Sequence, residues 1–467
     1  MPRADVVVVG AGLAGMTAAI ALADAGARVE VVARGHAATH WTAGGIDVAA
    51  PAASETSAKG VKRLARQGTH PYAILGEGLP DALTALRSAL AREGLLYAGE
   101  LQDPLRTIPT AIGGTRRAAI LPTAQANALA PWQPGERLVV CGPAGFKDFW
   151  PDAIAASLRR PSVWGLDADP EASAAAHPSR VDGLVVELPG LTGRHNLSGL
   201  DLARFFDDSR WRAEALERIA RAIDRSGAAR GGGRIALPAV LGLSDHAVAF
   251  DDASRILALA PFEMSLVSPS VPGLRFYSAL RAALRRRGGR IAIGEPVEGI
   301  AVEKRRATSV TMAAAVRGRI IPTDAVVLAT GGIAGGGLIG RADGRLVEPL
   351  LDLPVEAPPA GKWLAADPFD PAGHPLEAAG IRTDAALRPV DAKGKVVLEN
   401  VAVVGSLLAG QRYLVERCGD GVAIASGYLA AATFAPAPKA PVLVEPTREV
   451  VAGAKDSAGR QRAGTRR

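Results

Sequence analysis

Three observations predict an α/β protein built on a parallel sheet. A strand-like run, Val6 to Val9, leads straight into Gly10-Ala11-Gly12-Leu13-Ala14-Gly15. Two more apolar runs, Asp324 to Gly332 and Asn400 to Gly405, lie far along the chain and each finishes in glycine. Helical patterns alternate with such runs, as parallel βαβ connections require. The expected architecture is a Rossmann-like domain made from both ends of the chain, carrying an inserted α+β cap.

The N-terminal element justifies itself first. Val6 to Val9 has the length and β-branching of a buried strand, Met16 to Ala25 reads as a helix, and Arg28 to Ala33 as a second strand. Between them the glycines have the G-x-G-x-x-G spacing. Gly10 permits the tight turn, Gly12 a close approach of pyrophosphate, and Gly15 close helix–strand packing, while Leu13 and Ala14 open a helix whose free N–H groups face the anion. This predicts dinucleotide or flavin binding. The acidic residue that usually holds the ribose about 20 residues later is missing. Ala33 or Arg34 stands there, Glu30 comes too early on the strand, and Arg34 could meet a phosphate instead.

Next comes the small-residue stretch Gly35 to Val48, with Gly35, His40, Thr42, Gly44 and Gly45 as candidates to lie against a flat ring or a diphosphate. The alternative is an ordinary glycine-rich loop. Leu83, Leu86 and Leu90 predict an amphipathic helix over Asp81 to Arg92. Strands and turns follow, including Gly113-Gly-Thr-Arg-Arg117 and Arg137 to Gly145, then helical patterns at Leu200 to Phe206 and Trp211 to Ile223. No second nucleotide fingerprint occurs here, so 57–230 is read as the inserted cap, flanked by a discontinuous domain of 1–56 and 231–435. Tyr277 to Arg287 has leucines on one face and arginines on the other, which predicts a helix with a solvated charged face.

The later strands bring their own glycines. Thr330, Gly331 and Gly332 end one, and Gly405 ends another. In Cys418-Gly-Asp-Gly421-Val422 a glycine-rich loop opens a small-residue helix, whose N-terminus could stabilise negative charge on a reduced flavin. Three strand-plus-glycine sites converging on one ligand are more specific than one motif.

Composition narrows the class. The 467-residue chain has 53 glycines, 4% aromatic residues and a formal charge of +7. Much of that excess lies in 436–467, a Pro/Ala/Arg-rich segment expected to be disordered. No recognition fold supports nucleic-acid binding. The two cysteines, Cys141 and Cys418, suit reduced cytoplasm and are too few for an iron–sulfur cluster. No metal site is expected. The uncharged run Val6 to Ala23 is explained as strand, turn and helix rather than as a membrane span.

Val8–Gly15, Arg34–Asp47, Val139–Trp150 (VVCGPAGFKDFW), Pro272–Gly289, Ala329–Leu338 (ATGGIAGGGL), Gly380–Pro389 and Val401–Gly421 together carry a family resemblance. They are similar to the fumarate reductase and succinate dehydrogenase flavoprotein superfamily, and more closely to the B-subunit family of anaerobic glycerol-3-phosphate dehydrogenases. The resemblance implies a flavin subunit beside a catalytic FAD subunit and an iron–sulfur membrane-anchor subunit. That complex oxidises sn-glycerol 3-phosphate to dihydroxyacetone phosphate and passes electrons to the quinone pool, at the inner face of the cytoplasmic membrane. It also implies FMN for the B subunit, whereas the complete glycine fingerprint suits FAD, and both stay open. His40 stands too close to Gly44-Gly45 for the covalent flavin link known in the superfamily. Leu408 to Leu414 departs from the family's glycine-rich segment.

Substrate oxidation would need a base and cations. The candidates are His195, Arg194, His246 and Arg117 with its neighbour Arg116. An electron-relay or assembly subunit without substrate chemistry, and a standalone FAD-dependent dehydrogenase, are the competing expectations.

Overall fold

A computed structural model describes residues 3–50, 55–165, 177–194, 196–227, 232–313 and 318–436. Residues 1–435 form one compact unit. The basic tail expected at 436–467 lies outside the described residues, apart from Pro436.

The chain opens with β1 (Ala4–Val9), α1 (Leu13–Asp24) and β2 (Val29–Ala33), close to the predicted βαβ unit. Then come α2 (Ser57–Ala65), α3 (Leu79–Ala91) and a hairpin of β3 (Arg106–Pro109) and β4 (Thr115–Ala118). The middle of the chain holds β5 (Arg137–Pro143), α4 (Pro151–Leu158), β6 (Arg180–Val186), α5 (Gly199–Asp207) and α6 (Ser209–Ser226). It continues with β7 (Gly233–Pro238), α7 (His246–Ile256), β8 (Ala260–Met264) and α8 (Val271–Arg286). The last part supplies β9 (Arg290–Ile293), β10 (Val297–Glu303), β11 (Arg306–Met312), β12 (Arg319–Leu328), β13 (Val401–Val403) and α9 (Gly419–Phe434).

One sheet has seven strands in the order β9-β2-β1-β12-β11-β10, with β13 also on β12. β12 is long enough to change neighbours along one edge. Its first residues pair antiparallel with β11, and Val326 to Leu328 pair parallel with β13. On its other edge β1 runs parallel with it from Thr323 to Leu328. The carboxyl ends of β1, β2, β12 and β13 therefore open on the same side. α1 is buried almost all round, as a helix wedged between a sheet and another helix must be. Its partner is α9, and Gly427 sits so close that a Cβ there would overlap the Ala14 carbonyl oxygen.

The expected cap holds the antiparallel β3–β4 hairpin and two strands, β5 and β6, of a second sheet that is parallel throughout in the order β8-β7-β5-β6, its other two strands coming from beyond residue 230. Its strand order reverses between β5 and β7, the place where open α/β sheets usually take a ligand. Here Cys141, Pro143, Leu237 and Pro238 leave a cavity of only about 10 Å³. The room is gone, which agrees with the missing second fingerprint.

Buried side chains divide the chain differently from the 57–230 boundary. Val61, Leu64, Leu79, Leu83, Leu86 and Leu90 join the core of the first sheet, while β7 and β8 join the second core, which extends to Val271. The amphipathic faces of α2 and α3 look like cap in sequence because nothing local says which sheet they will cover. β7 joins the second sheet through its parallel partner β5, which is about a hundred residues away, a pairing no local signal gives.

Candidate functional site

Glycines at the carboxyl edge of the first sheet let three loops meet. A Cβ on Gly10 would overlap the Ala329 carbonyl oxygen, and one on Gly15 would overlap the Gly10 carbonyl oxygen. Gly10 and Gly405 also have positive φ, +117° and +68°. A Cβ on Gly405 would fall 2.8 Å from that of Ala14. The Gly332 N–H donates to Ser406 Oγ at 2.9 Å, and Gly405 N–H to Ser426 Oγ at 2.9 Å. Strand ends β1, β12 and β13 are thus tied into one backbone cradle beside the start of α1. Leu13 and Ala14 are buried in its wall, and Thr330 Oγ1 is buried there without a partner. A cradle lined by backbone and holding an orphaned hydroxyl fits a polar cofactor.

The Gly44–Gly45 loop reaches the same region. Tyr97 donates to Gly44 O at 2.7 Å, and Ser265 and Gln125 both donate to Ala43 O, at 2.9 and 3.0 Å. Gly44 needs its φ of +92°, and Thr42 Oγ1 accepts from its N–H at 3.3 Å. Directly after this loop, Asp47 accepts from Arg116 at 3.3 Å and from Arg417 at 3.0 Å. Its own N–H donates to Asp420 Oδ2 at 3.0 Å, and the Gly421 N–H donates back to Asp47 O at 3.2 Å. Asp420 lies in the first turn of α9, next to Gly421 and the buried Val422. Burial, then the Asp47 carboxylate, push its pKa up to about 7. Arg116 Nη2, lying over Gly45, is buried and unpartnered. Two carboxylates and two guanidinium groups therefore converge where the second glycine loop meets the N-terminus of α9.

The remaining predicted residues scatter. Arg117 is on β4 beside Arg116, and strand alternation turns it to the opposite face. Arg194 is exposed in a turn, and His195 lies outside the described residues. His246 starts α7, where burial and then Arg275 lower its pKa, away from the Asp47 group. Gly35 is exposed, with open space where a Cβ would go. Arg34 follows the end of β2, with one guanidinium nitrogen 3.5 Å from where a Cβ on Gly336 would lie. Glu30 pairs with Arg319 at the far end of its strand, which agrees with its rejection as a ribose clamp. His40 stacks on His36 at 4.4 Å and meets the edge of Tyr277 at 4.1 Å.

Sequence reasoning overlooked Asp47, Arg417 and Asp420. The signal was present in part: Asp47 follows soon after the Gly-Gly pair, and Asp420 is the sole charge in a helix of small residues. The arginine partners come from distant segments and no spacing reveals them.

Among the described residues, His70, Glu416 and Cys418 place possible metal-ligand atoms within 4.8 Å of one another. The Tyr72 N–H donates to His70 Nδ1 at 3.0 Å, which assigns the ring proton to Nε2, 3.4 Å from Glu416 Oε2. A protonated Nε2 is a donor to a carboxylate and has no lone pair for an ion. The His70 ring and the Glu416 carboxylate lie side by side at the turn before α9 without a hydrogen bond between them.

Among the described residues, no helix is long and apolar enough to cross a membrane. The family model described as FAD binding domain matches residues 5–422. A Halobacterium salinarum protein, named as the B subunit of a probable anaerobic glycerol-3-phosphate dehydrogenase, is 30% identical over 93% of this chain and 98% of its own length. A Yersinia pestis protein, named as the B subunit of anaerobic glycerol-3-phosphate dehydrogenase, is 30% identical over 91% of this chain and 97% of its own. Among solved structures, the 3-ketosteroid-delta4-(5alpha)-dehydrogenase of Rhodococcus jostii RHA1 matches with 14% identity and a TM-score of 0.41, covering 93% of this chain and 97% of that one. The cofactor is a flavin, and the matching family is described by FAD rather than FMN. The chain belongs to the FAD binding domain family of flavin-dependent oxidoreductases, and within it to the B-subunit family of anaerobic glycerol-3-phosphate dehydrogenases.

Proposed function

We propose that this chain is the subunit of a quinone-linked complex whose flavin oxidises sn-glycerol 3-phosphate to dihydroxyacetone phosphate, with an FAD subunit and an iron–sulfur membrane-anchor subunit as partners. The observation that carries the reading is the buried, unpartnered Arg116 Nη2 beside the Asp47–Arg417–Asp420 group. An unsatisfied buried donor of this kind costs roughly 1–3 kcal/mol or more unless a ligand supplies the acceptor. The names of the relatives supply the substrate, and an anionic phosphate oxygen would accept from such a donor.

Gly10, Gly12, Gly15, Thr330 and Gly405 would hold the flavin, with Gly44, Gly45 and Gly421 along its ring. The bound flavin would supply a hydride acceptor. Arg116 and Arg417 would orient the phosphate by charge-assisted bonds. Asp420, with a pKa near neutrality, would take the hydroxyl proton as carbon is oxidised. The contacts of Ser265 and Gln125 to Ala43 and of Tyr97 to Gly44 would hold the loop against the site.

The test is anaerobic mixing of the purified, flavin-loaded chain with sn-glycerol 3-phosphate or with glycerol. Bleaching of the flavin by the phosphate alone is expected, and Arg116→Gln should raise the half-saturating concentration about tenfold or more, from a charged hydrogen bond of ~1.5–3 kcal/mol. Bleaching that appears only after a partner subunit is added would sink substrate chemistry here and favour a relay.

A further inference from the structure

The 3-10 turn Ala38–Trp41, which follows β2, lies so close to α8 that a Cβ on Gly273 would overlap the His40 carbonyl oxygen. This contact gathers four polar side chains. His36 and His40 stack at 4.4 Å, and the edge of Tyr277 on α8 meets both rings, at 5.7 and 4.1 Å. One helical turn along, the Arg281 guanidinium lies 5.9 Å from the Tyr277 ring centre. Three of these groups hold a buried polar atom without a partner: His40 Nε2, the Tyr277 hydroxyl and Arg281 Nε. Tyr277 is 2% exposed, which leaves its hydroxyl out of reach of bulk water.

The charge in this cluster has one sign. Neither imidazole nor Arg281 pairs with a carboxylate among the described residues, whereas Arg286 and Arg287 further along α8 take Glu93 and Asp24. Burial lowers the pKa of His40, and His36 and Arg281 lower it further. Three orphaned polar atoms with no acid among them cost free energy unless an anion brings acceptors. Position in the fold says which anion. Ala37, between the two histidines, comes so close to the glycine motif that a Cβ on Gly12 would lie 3.5 Å from its own. The turn therefore borders the start of α1. At this end of β2 a nucleotide-binding unit uses a carboxylate to hold ribose hydroxyls and a cation to hold phosphate. Ala33 and Arg34 stand where the carboxylate would be, and the cluster beside them supplies cationic groups and a hydroxyl.

We infer that His36, His40, Tyr277 and Arg281 form an anion site that takes a phosphate group. Tyr277 and Arg281 donate from α8, His40 donates from the turn, and the exposed His36 stands on the solvent side. Two sources offer the same chemistry: the phosphate of the flavin itself, or a free phosphate ester arriving from solution. Only the first of them rests on the flavin reading above.

The experiment titrates the full chain, wild type beside Arg281→Gln and Tyr277→Phe, with inorganic phosphate by calorimetry and with FMN, FAD and riboflavin by fluorescence quenching. Phosphate affinity should fall about tenfold in Arg281→Gln, the worth of a charge-assisted hydrogen bond, and about fivefold in Tyr277→Phe, the worth of a neutral one. Riboflavin, which has no phosphate, should bind all three chains alike, and unchanged thermal midpoints show that the variants fold. If FMN and FAD lose affinity in step with inorganic phosphate, and the flavin-loaded chain no longer takes it, the flavin is the source. If flavin affinity is unchanged and the loaded chain still takes phosphate, the source is a free ester. Equal affinity of the three chains for phosphate and for FMN, or an equal loss of FMN and riboflavin, overturns the inference. A chain that takes no flavin yet binds phosphate through Arg281 would instead overturn the dehydrogenase reading, so the two failures are separable.

Discussion

At Gly10 the backbone lies where only glycine can, because φ is +117° and any Cβ would strike the Ala329 carbonyl. Gly10→Ala should therefore pry β1 from β12 at the cradle, lowering the thermal midpoint and leaving the purified chain without flavin absorbance. Asp420 makes a different prediction. Its folded pKa of about 7 lies above the ordinary carboxyl value, so the folded chain holds a proton that the unfolded chain releases. Its contribution to stability is complete below about pH 4 and is lost as pH rises toward 7. Asp420→Asn should flatten denaturant midpoints across that window, and an unchanged slope would show the carboxyl is not protonated in the fold. These two residues also mark the limit of sequence reading. Gly10 was legible because a motif fixes its neighbours, whereas the shift at Asp420 draws on Asp47, 373 residues away.

Helix α8 shows how an element can be placed correctly and its surroundings misjudged. The leucine spacing predicted the helix, and Ser270 caps it through Gly273 N–H; the expected solvated arginine face holds at Arg286, whereas Arg287 is mostly covered and Arg275, ahead of the predicted start, is buried. Arg275 and Glu263 on β8 form a bidentate pair at 2.6 and 2.9 Å, each almost fully buried. Glu263 Oε1 also accepts from Leu241 N–H at 2.8 Å, while Arg286 and Arg287 reach Glu93 and Asp24. Periodicity reports which residues share a face, and it is silent about a carboxylate arriving from another strand. Glu263→Ala should cost about 3–5 kcal/mol, because it leaves a buried guanidinium uncompensated. Replacing both partners by methionine should cost much less, and urea titration of the two variants separates these outcomes.

Across the whole molecule the mixed first sheet and the parallel second sheet have separate cores, yet their side chains meet at the Ala43–Gly45 loop and form one compact unit. Flavin should stabilise both together, by about 2.7 kcal/mol at a hundredfold excess over its dissociation constant. A single cooperative midpoint that rises with flavin concentration is expected in calorimetry, and two transitions of which one moves would contradict the coupling. Fold class and the glycine cradle were legible because strand runs and glycines are local signals. The boundary between cores was not, since α2, α3, β7 and β8 choose their sheet by contacts made across the chain. The strand order of the first sheet also governs the order in which the protein can be made. β1 leaves the ribosome well before its sheet neighbour β12, and β13 follows only at Val401–Val403. The second core, finished by Val271, can close during translation, while the nascent β1 must wait, a solubility burden for any chaperone, and cofactor loading becomes a step that follows synthesis.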